Sequence, residues 1–298
     1  MAPRRPPRLR RPLLLLGAVA AGLLLAVAMD VVRSGGLDAW RARHGLRSLY
    51  IADGERYDVG GRAMYLDCRG AGSPSVVLEA GSGSDSATWA SVHDELASTT
   101  RTCAYDRAGR ARSDPRGIHT LGDAAGDLRT LLAVAGESPP FVLVGHSLGG
   151  AYIRVFADRH RLEVVGLVLV DTFDPDLQED WIHPLLGSLT AEYEGDLDGL
   201  RGMVARFDGL DWSASETELR SSRVAGLPIE VLTAPRYEPR LDEATNNSIV
   251  QARQAGFDSL SPGHVHQSTA WGAGHHIQID RPDLVIGAVR RVVDLVRP

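Results

Sequence analysis

The most informative run in the chain is Phe141-Val142-Leu143-Val144-Gly145-His146-Ser147-Leu148-Gly149-Gly150. Its first four residues are apolar without a break, which reads as a strand buried on both faces, as in a parallel sheet covered by helices. Gly-x-Ser-x-Gly follows, and then a helical pattern over 148–160. So tight a strand-to-helix turn needs flanking positions nearly free of side chain, which Gly145 and Gly149 provide. The turn holds the Ser147 hydroxyl above the sheet. The helix starting beside it offers unpaired N–H groups and a positive dipole end, both suited to a developing oxyanion. Ser147 is therefore the candidate nucleophile, and the Leu148 N–H a candidate oxyanion donor. The competing reading is a glycine-rich turn whose serine only caps the helix.

Outward from this run the same alternation repeats. Short β-branched apolar runs at 63–68, 75–78, 102–105, 164–170, 229–233 and 265–270 predict further strands. Segments 89–97, 121–134 (after Thr120, a capping residue) and 283–297 (directly after Pro282) predict helices. Strand-helix alternation defines an α/β domain with a mainly parallel sheet over 57–298. Residues 174–226 break the pattern: Trp181, Leu185, Tyr193, Leu200, Phe207 and Trp212 lie among many acids. They read as short amphipathic helices forming a cap after the sixth strand, where a cap would wall a pocket at the C-terminal strand ends.

The chain has 298 residues, 44% hydrophobic and 23% charged, an ordinary globular composition that excludes disorder and fibrous repeats. Its 32 basic residues are all arginine. Five of them sit in residues 1–29, which carry no acid, so the rest has 27 basic against 38 acidic residues. So acidic a body argues against nucleic-acid partners, and nothing in the pattern indicates a protein partner. Residues 13–29 form an uncharged, mostly apolar run directly after the arginines. Residues 1–32 thus read as a signal-anchor or a cleaved signal peptide, and 33–56 as a linker with a leading helix. Either reading puts the body outside the cytoplasm, secreted or tethered, with membrane contact through the N-terminal segment only. Cys68 and Cys103 are the only cysteines. They are read either as a disulfide, if their strands are neighbours, or as two small buried hydrophobes.

Several ordered motifs together resemble the α/β-hydrolase fold superfamily over residues 57–297. They are Glu79-Ala80-Gly81-Ser82-Gly83 after the third strand, Tyr105-Asp106-Arg107-Ala108-Gly109 with Ser113-Asp114, the Gly145–Gly149 turn, and Gly272-Ala273-Gly274-His275. Ala111 departs from the pattern, standing where many relatives have glycine. The resemblance implies an eight-stranded, mostly parallel sheet flanked by helices, its second strand antiparallel. It places the strands of Cys68 and Cys103 side by side, which favours the disulfide. It also implies the Ser82 N–H as the second oxyanion donor.

A serine hydroxyl needs a base. Of the ten histidines, His275 matches the family's base position and is preferred to His276, which is expected to face away. His264 and His266, on one strand face, admit a metal reading that lacks a fitting Cys or carboxylate pattern. Many relatives take the triad acid from the seventh strand end, which here reads Thr233-Ala234-Pro235-Arg236-Tyr237-Glu238 with no aspartate until Asp242. Others use the sixth strand end, here Asp171. Asp171 is the leading candidate, Glu238 the alternative and Asp242 the last. Asp106 and Arg107 are expected to make structural hydrogen bonds or a loop ion pair. The implied reaction is acyl transfer from a small-molecule ester, thioester or amide to water, carboxylesterase-like and without cofactor or metal. Peptidase, C–C hydrolase, lyase and haloperoxidase chemistry fit the same machinery, and a non-catalytic ligand-binding protein is the rival of another class.

Overall fold

The structure, a computed structural model, describes residues 53–172, 198–199, 201–202, 204–235 and 242–297. The expected N-terminal anchor or signal, most of the apolar cap residues and Glu238 lie outside these residues.

Eight strands form one sheet: β1 (Glu55–Asp58), β2 (Ala63–Arg69), β3 (Ser75–Glu79), β4 (Thr102–Tyr105), β5 (Phe141–His146), β6 (Val164–Val170), β7 (Ile229–Thr233) and β8 (Val265–Thr269). Their spatial order is β1-β2-β4-β3-β5-β6-β7-β8. β2 runs antiparallel to β1 and β4, and the pairs from β4 through β8 are parallel. The α/β-hydrolase architecture expected from the motifs is thus what forms. β1 begins inside the stretch read as linker, because its sequence Glu-Arg-Tyr-Asp is polar and mostly exposed and gives no apolar signal.

The described helices include α1 (Ala90–Ala97, led in by a 3-10 turn), α2 (Leu121–Val134), α3 (Gly149–Arg159), α4 (Trp212–Ser221), α5 (Glu243–Asp258), α6 (Ile277–Asp280) and α7 (Pro282–Val296). Strand alternation divides the core between the two sheet faces. Val77 and Leu143 face Leu128, Leu131 and Phe156 of α2 and α3. Val76, Leu78, Val142 and Val144 pack with Leu96 of α1 and Val289 of α7. Thr120 caps α2 as its sequence predicts: its side chain accepts the Asp123 N–H, and Asp123 reciprocates.

Cys68 and Cys103 sit directly opposite each other on β2 and β4 and are joined as a disulfide. α4 lies between β6 and β7, within the expected cap region, and its Leu219 packs against α2 and α3. Among the described residues no helix is long and apolar enough to cross a membrane.

Candidate active site

β5 ends at His146 and α3 begins at Gly149, so the chain reverses through Ser147 and Leu148. Ser147 has φ +53°, in the left-handed region that an L side chain adopts only at a cost. Its neighbours compensate. The Ser147 N–H donates to the Val170 carbonyl at 3.0 Å, and its own carbonyl accepts from the Thr172 hydroxyl at 2.7 Å. The flanking glycines have a steric reason. A Cβ on Gly145 would lie 2.6 Å from the Gly149 carbonyl, and one on Gly149 would lie 2.6 Å from the Glu79 oxygen. Within 141–150 only Ser147 is not buried.

Asp171 follows β6 and is also left-handed, at φ +42°. Its side chain is fully buried. Oδ2 accepts from His275 Nδ1 at 2.7 Å, and Oδ1 accepts the Ala234 N–H at 3.0 Å. Arg253 Nη2, from α5, lies 3.6 Å from Oδ1. An ionised carboxylate only accepts, so His275 carries its proton on Nδ1 and presents the Nε2 lone pair. Its side chain remains 39% exposed.

The His275 loop is fastened to the strand-to-helix turn. His146 Nε2 lies 2.8 Å from the His275 carbonyl, which can only accept, so His146 holds its proton on Nε2. Its Nδ1 is buried without a partner. Burial, then the adjoining His275 and His276, lower the His146 pKa to about 3, so the ring is neutral. The His276 ring is 5.1 Å from that of His146 and 5.3 Å from that of His275. It flanks His275 instead of facing away.

The loop after β3 approaches Ser147 closely: a Cβ on Gly81 would lie 3.2 Å from Ser147 Cβ. Among the described residues no protein acceptor lies against the N–H groups of Ser82 or Leu148. Arg107, expected to be structural, lies beneath this loop. It donates to the carbonyls of Ala80 and Gly81 at 2.5 and 2.7 Å, and it pairs with Glu79 and with Asp208. Burial opposes its charge, but Glu79, Tyr152, Asp208 and Tyr105 together hold its pKa well above the usual arginine value. Burial raises the Glu79 pKa, against the opposing pull of Arg107 and the Tyr105 hydrogen bond. Asp106 accepts the Ser86 N–H at 2.9 Å, a structural role as expected.

The remaining candidates separate from this cluster. Asp242 is the N-cap of α5, its Oδ1 accepting the Thr245 N–H at 2.7 Å, so that carboxylate is committed to the helix. His266 Nδ1 lies 3.0 Å from Glu230, which Arg291 also grips with two nitrogens. Among the described residues the one donor set close enough to hold an ion is Cys68, Cys103 and Glu137, and both sulfurs are in the disulfide. Sequence reasoning missed Asp208 and Arg253. One sits in an acid-rich insertion and the other on a mostly polar helix, so neither has a local pattern to mark it.

A model of the alpha/beta hydrolase family matches residues 76–288, and the chain belongs to that family. Uncharacterized protein YqjL of Bacillus subtilis is 31% identical over 245 residues, covering 77% of this chain and 87% of that protein. A probable transporter, efuK of Hormonema carpetanum, is 36% identical over 142 residues, but the match covers 45% of this chain and only 19% of that protein. Among solved structures, a thermophilic esterase from Thermogutta terrifontis superposes with a TM-score of 0.55 at 19% identity, covering 83% of this chain and all of that one. At that identity the likeness is one of fold.

Proposed function

We propose that this protein is a serine hydrolase that cleaves an ester, thioester or amide of a small to medium hydrophobic acyl group through an acyl-enzyme on Ser147. The observation that carries the reading is the 2.7 Å hydrogen bond from His275 Nδ1 to the buried Asp171, in a loop tied at 2.8 Å to the residue before Ser147. That bond fixes the tautomer a general base needs.

In this reading His275 Nε2 takes the Ser147 proton as Oγ bonds to the substrate carbonyl carbon. The carbonyl oxygen becomes an oxyanion facing the N–H groups of Ser82 and Leu148. The bond to the leaving group then breaks, and that group departs with the proton from His275. Water, deprotonated by His275, attacks the acyl-enzyme. The acid leaves and Ser147 regains its proton. Asp171 stays ionised and stabilises the transient imidazolium. Two of the three described non-glycine residues at positive φ are Ser147 and Asp171. Backbone strain concentrated at the proposed nucleophile and acid supports a functional site. The third, Ala111, stands where relatives carry glycine, the residue that adopts φ +37° without cost. The cap's apolar content favours a hydrophobic acyl group. The basic-then-apolar N-terminus and the disulfide favour a body outside the cytoplasm.

The test is fluorophosphonate labelling of the wild type and Ser147→Ala, with p-nitrophenyl esters of graded acyl length and matching p-nitroanilides. Labelling of the wild type alone, with ester turnover, is the expected result. A folded wild type that neither labels nor turns over any substrate would overturn the reading in favour of a ligand-binding protein.

A further inference from the structure

We infer that Asp208, in the segment 204–208 of the insertion between β6 and β7, is a positioning residue that holds the oxyanion loop in its working shape. The inference rests on the hydrolase reading above and deepens it.

Asp208 ends the helical segment 204–208, in the insertion between β6 and β7. Its side chain is only 1% exposed, and a carboxylate that deep persists only when paired. Its partners are the oxyanion loop and the arginine beneath it. The Ser82 hydroxyl donates to Oδ2. The Gly83 N–H lies 3.3 Å from both carboxylate oxygens, and Arg107 Nη2 lies 2.9 Å from Oδ1. Arg110 adds a second tie, donating to the Gly83 carbonyl and, at 3.1 Å, to the carbonyl of Phe207.

The Ser82 N–H belongs to the Gly81–Ser82 peptide, whose carbonyl accepts from Arg107 Nη2, and that same nitrogen donates to Asp208. Asp208 also holds the Ser82 side chain and the next amide, that of Gly83. Without Asp208 this Arg107 nitrogen loses its charged partner and the Ser82 hydroxyl its acceptor, so the peptide that carries the donor is held less firmly. The same insertion reaches the other donor. Val204, Leu210 and Leu219 form one buried cluster with Leu148 and Tyr152. Ser82 thus bonds Asp208 directly, and Leu148 shares a buried cluster with described residues of the same insertion. A donor that loosens costs transition-state stabilisation and little ground-state binding, because the neutral carbonyl needs the hole far less than the oxyanion does.

The experiment compares Asp208→Ala and Asp208→Asn with the wild type. Turnover of p-nitrophenyl esters is expressed per site titrated by the fluorophosphonate, and amide hydrogen exchange is followed at Ser82 and Gly83. Asp208→Ala is expected to lower kcat per site by about 10- to 100-fold at nearly constant KM. The acidic limb of its pH profile should stay in place, since His275 is untouched. Exchange at Gly83 should rise at least about tenfold, with β3 unchanged. Asp208→Asn keeps an acceptor for Arg107 and Gly83 and should recover most of the activity. Should Asp208→Ala fail to fold, Ser82→Ala, which keeps the peptide N–H and removes the hydroxyl tie, is expected to cost a few-fold in kcat with the same exchange signature. An unchanged kcat per site, or a loss confined to KM, overturns the inference, as does unchanged exchange at Gly83. A wild type that never labels sinks the hydrolase reading instead, and the exchange data then judge the loop clamp alone.

Discussion

Replacing Asp171 by Asn tests the proposed triad through one atom. The carboxylate is fully buried, with Oδ2 2.7 Å from His275 Nδ1 and Oδ1 3.0 Å from the Ala234 nitrogen. Arg253 Nη2 stands 3.6 Å from Oδ1. Asparagine keeps the shape and turns one oxygen into a donor. With its NH2 toward Ala234 and Arg253 it would set donor against two donors, costing about 1–3 kcal/mol for each group left unpaired. With its oxygen there, the NH2 faces His275 Nδ1. The imidazole must then move its proton to Nε2, the nitrogen that has to accept from Ser147. The second arrangement is the cheaper one for folding and the damaging one for chemistry. Loss of the correct tautomer and of imidazolium stabilisation costs about 10³- to 10⁴-fold in kcat, or about 4 to 5.5 kcal/mol of barrier. The assay is p-nitrophenyl ester turnover and the second-order fluorophosphonate rate, with a thermal melt to confirm the fold. A folded Asp171→Asn enzyme keeping more than about a tenth of wild-type kcat would refute the assignment and move the acid to Glu238, whose Glu238→Gln variant would then carry the loss.

Two further outcomes concern stability. The folded His146 pKa of about 3 lies below the ordinary histidine value of about 6.5, so its contribution is whole above pH 6.5. It is lost at up to about 1.4 kcal/mol per pH unit as the unfolded chain takes up the proton first, until the pH nears the folded value. Urea denaturation at pH 7.5 and 4.5 should show His146→Gln losing about 2–3 kcal/mol less than the wild type over that interval, and equal losses would refute the assignment. The disulfide closes a separation of 35 residues, worth about 3–4 kcal/mol through the unfolded chain. Cys68→Ala with Cys103→Ala should lower the melting temperature by roughly 10 °C and leave ester turnover at 25 °C intact, so an unchanged melt would show that the bond contributes nothing.

Legibility in the sequence followed how much of a role the local chain carries. The Gly145–Gly149 turn is readable because its constraint is local: no side chain but hydrogen fits where Gly145 meets Gly149. β3, β5 and β6 are readable because burial on both faces demands continuous apolar runs. β1 is not, since an exposed edge strand is held by backbone pairing to β2 and needs no apolar residue. α5 is not readable either, because its sequence is mostly polar along its length. Asp208 and Arg253 lie beyond local reading altogether. Each acts on a residue dozens of positions away, Asp208 on Ser82 and Arg253 on Asp171. Nothing beside either in sequence differs from an ordinary solvated charge.

In the proposed triad the place of the acid follows from strand geometry. β6 and β7 are parallel neighbours in register, Val170 beside Leu232, so the residues beyond them emerge side by side. A carboxylate from either end can reach an imidazole arriving from the β8 side. Here the two ends divide the work. Asp171 supplies the carboxylate and donates its N–H to the Leu232 carbonyl at 2.7 Å. β7 supplies, through Ala234, a backbone donor to that carboxylate. With His275, Ala234 and Arg253 arranged around it, the charge meets opposing partial or full positive charge on three sides. That is the condition under which a fully buried carboxylate stays ionised. An acid moved to the β7 end would leave the Ala234 N–H to find another partner, while the main-chain bond from residue 171 to the Leu232 carbonyl would stay. The hydrogen bond that keeps the His275 proton on Nδ1 is one of the three contacts that let Asp171 be buried, so in the proposed triad burying the charge and readying the base share an interaction.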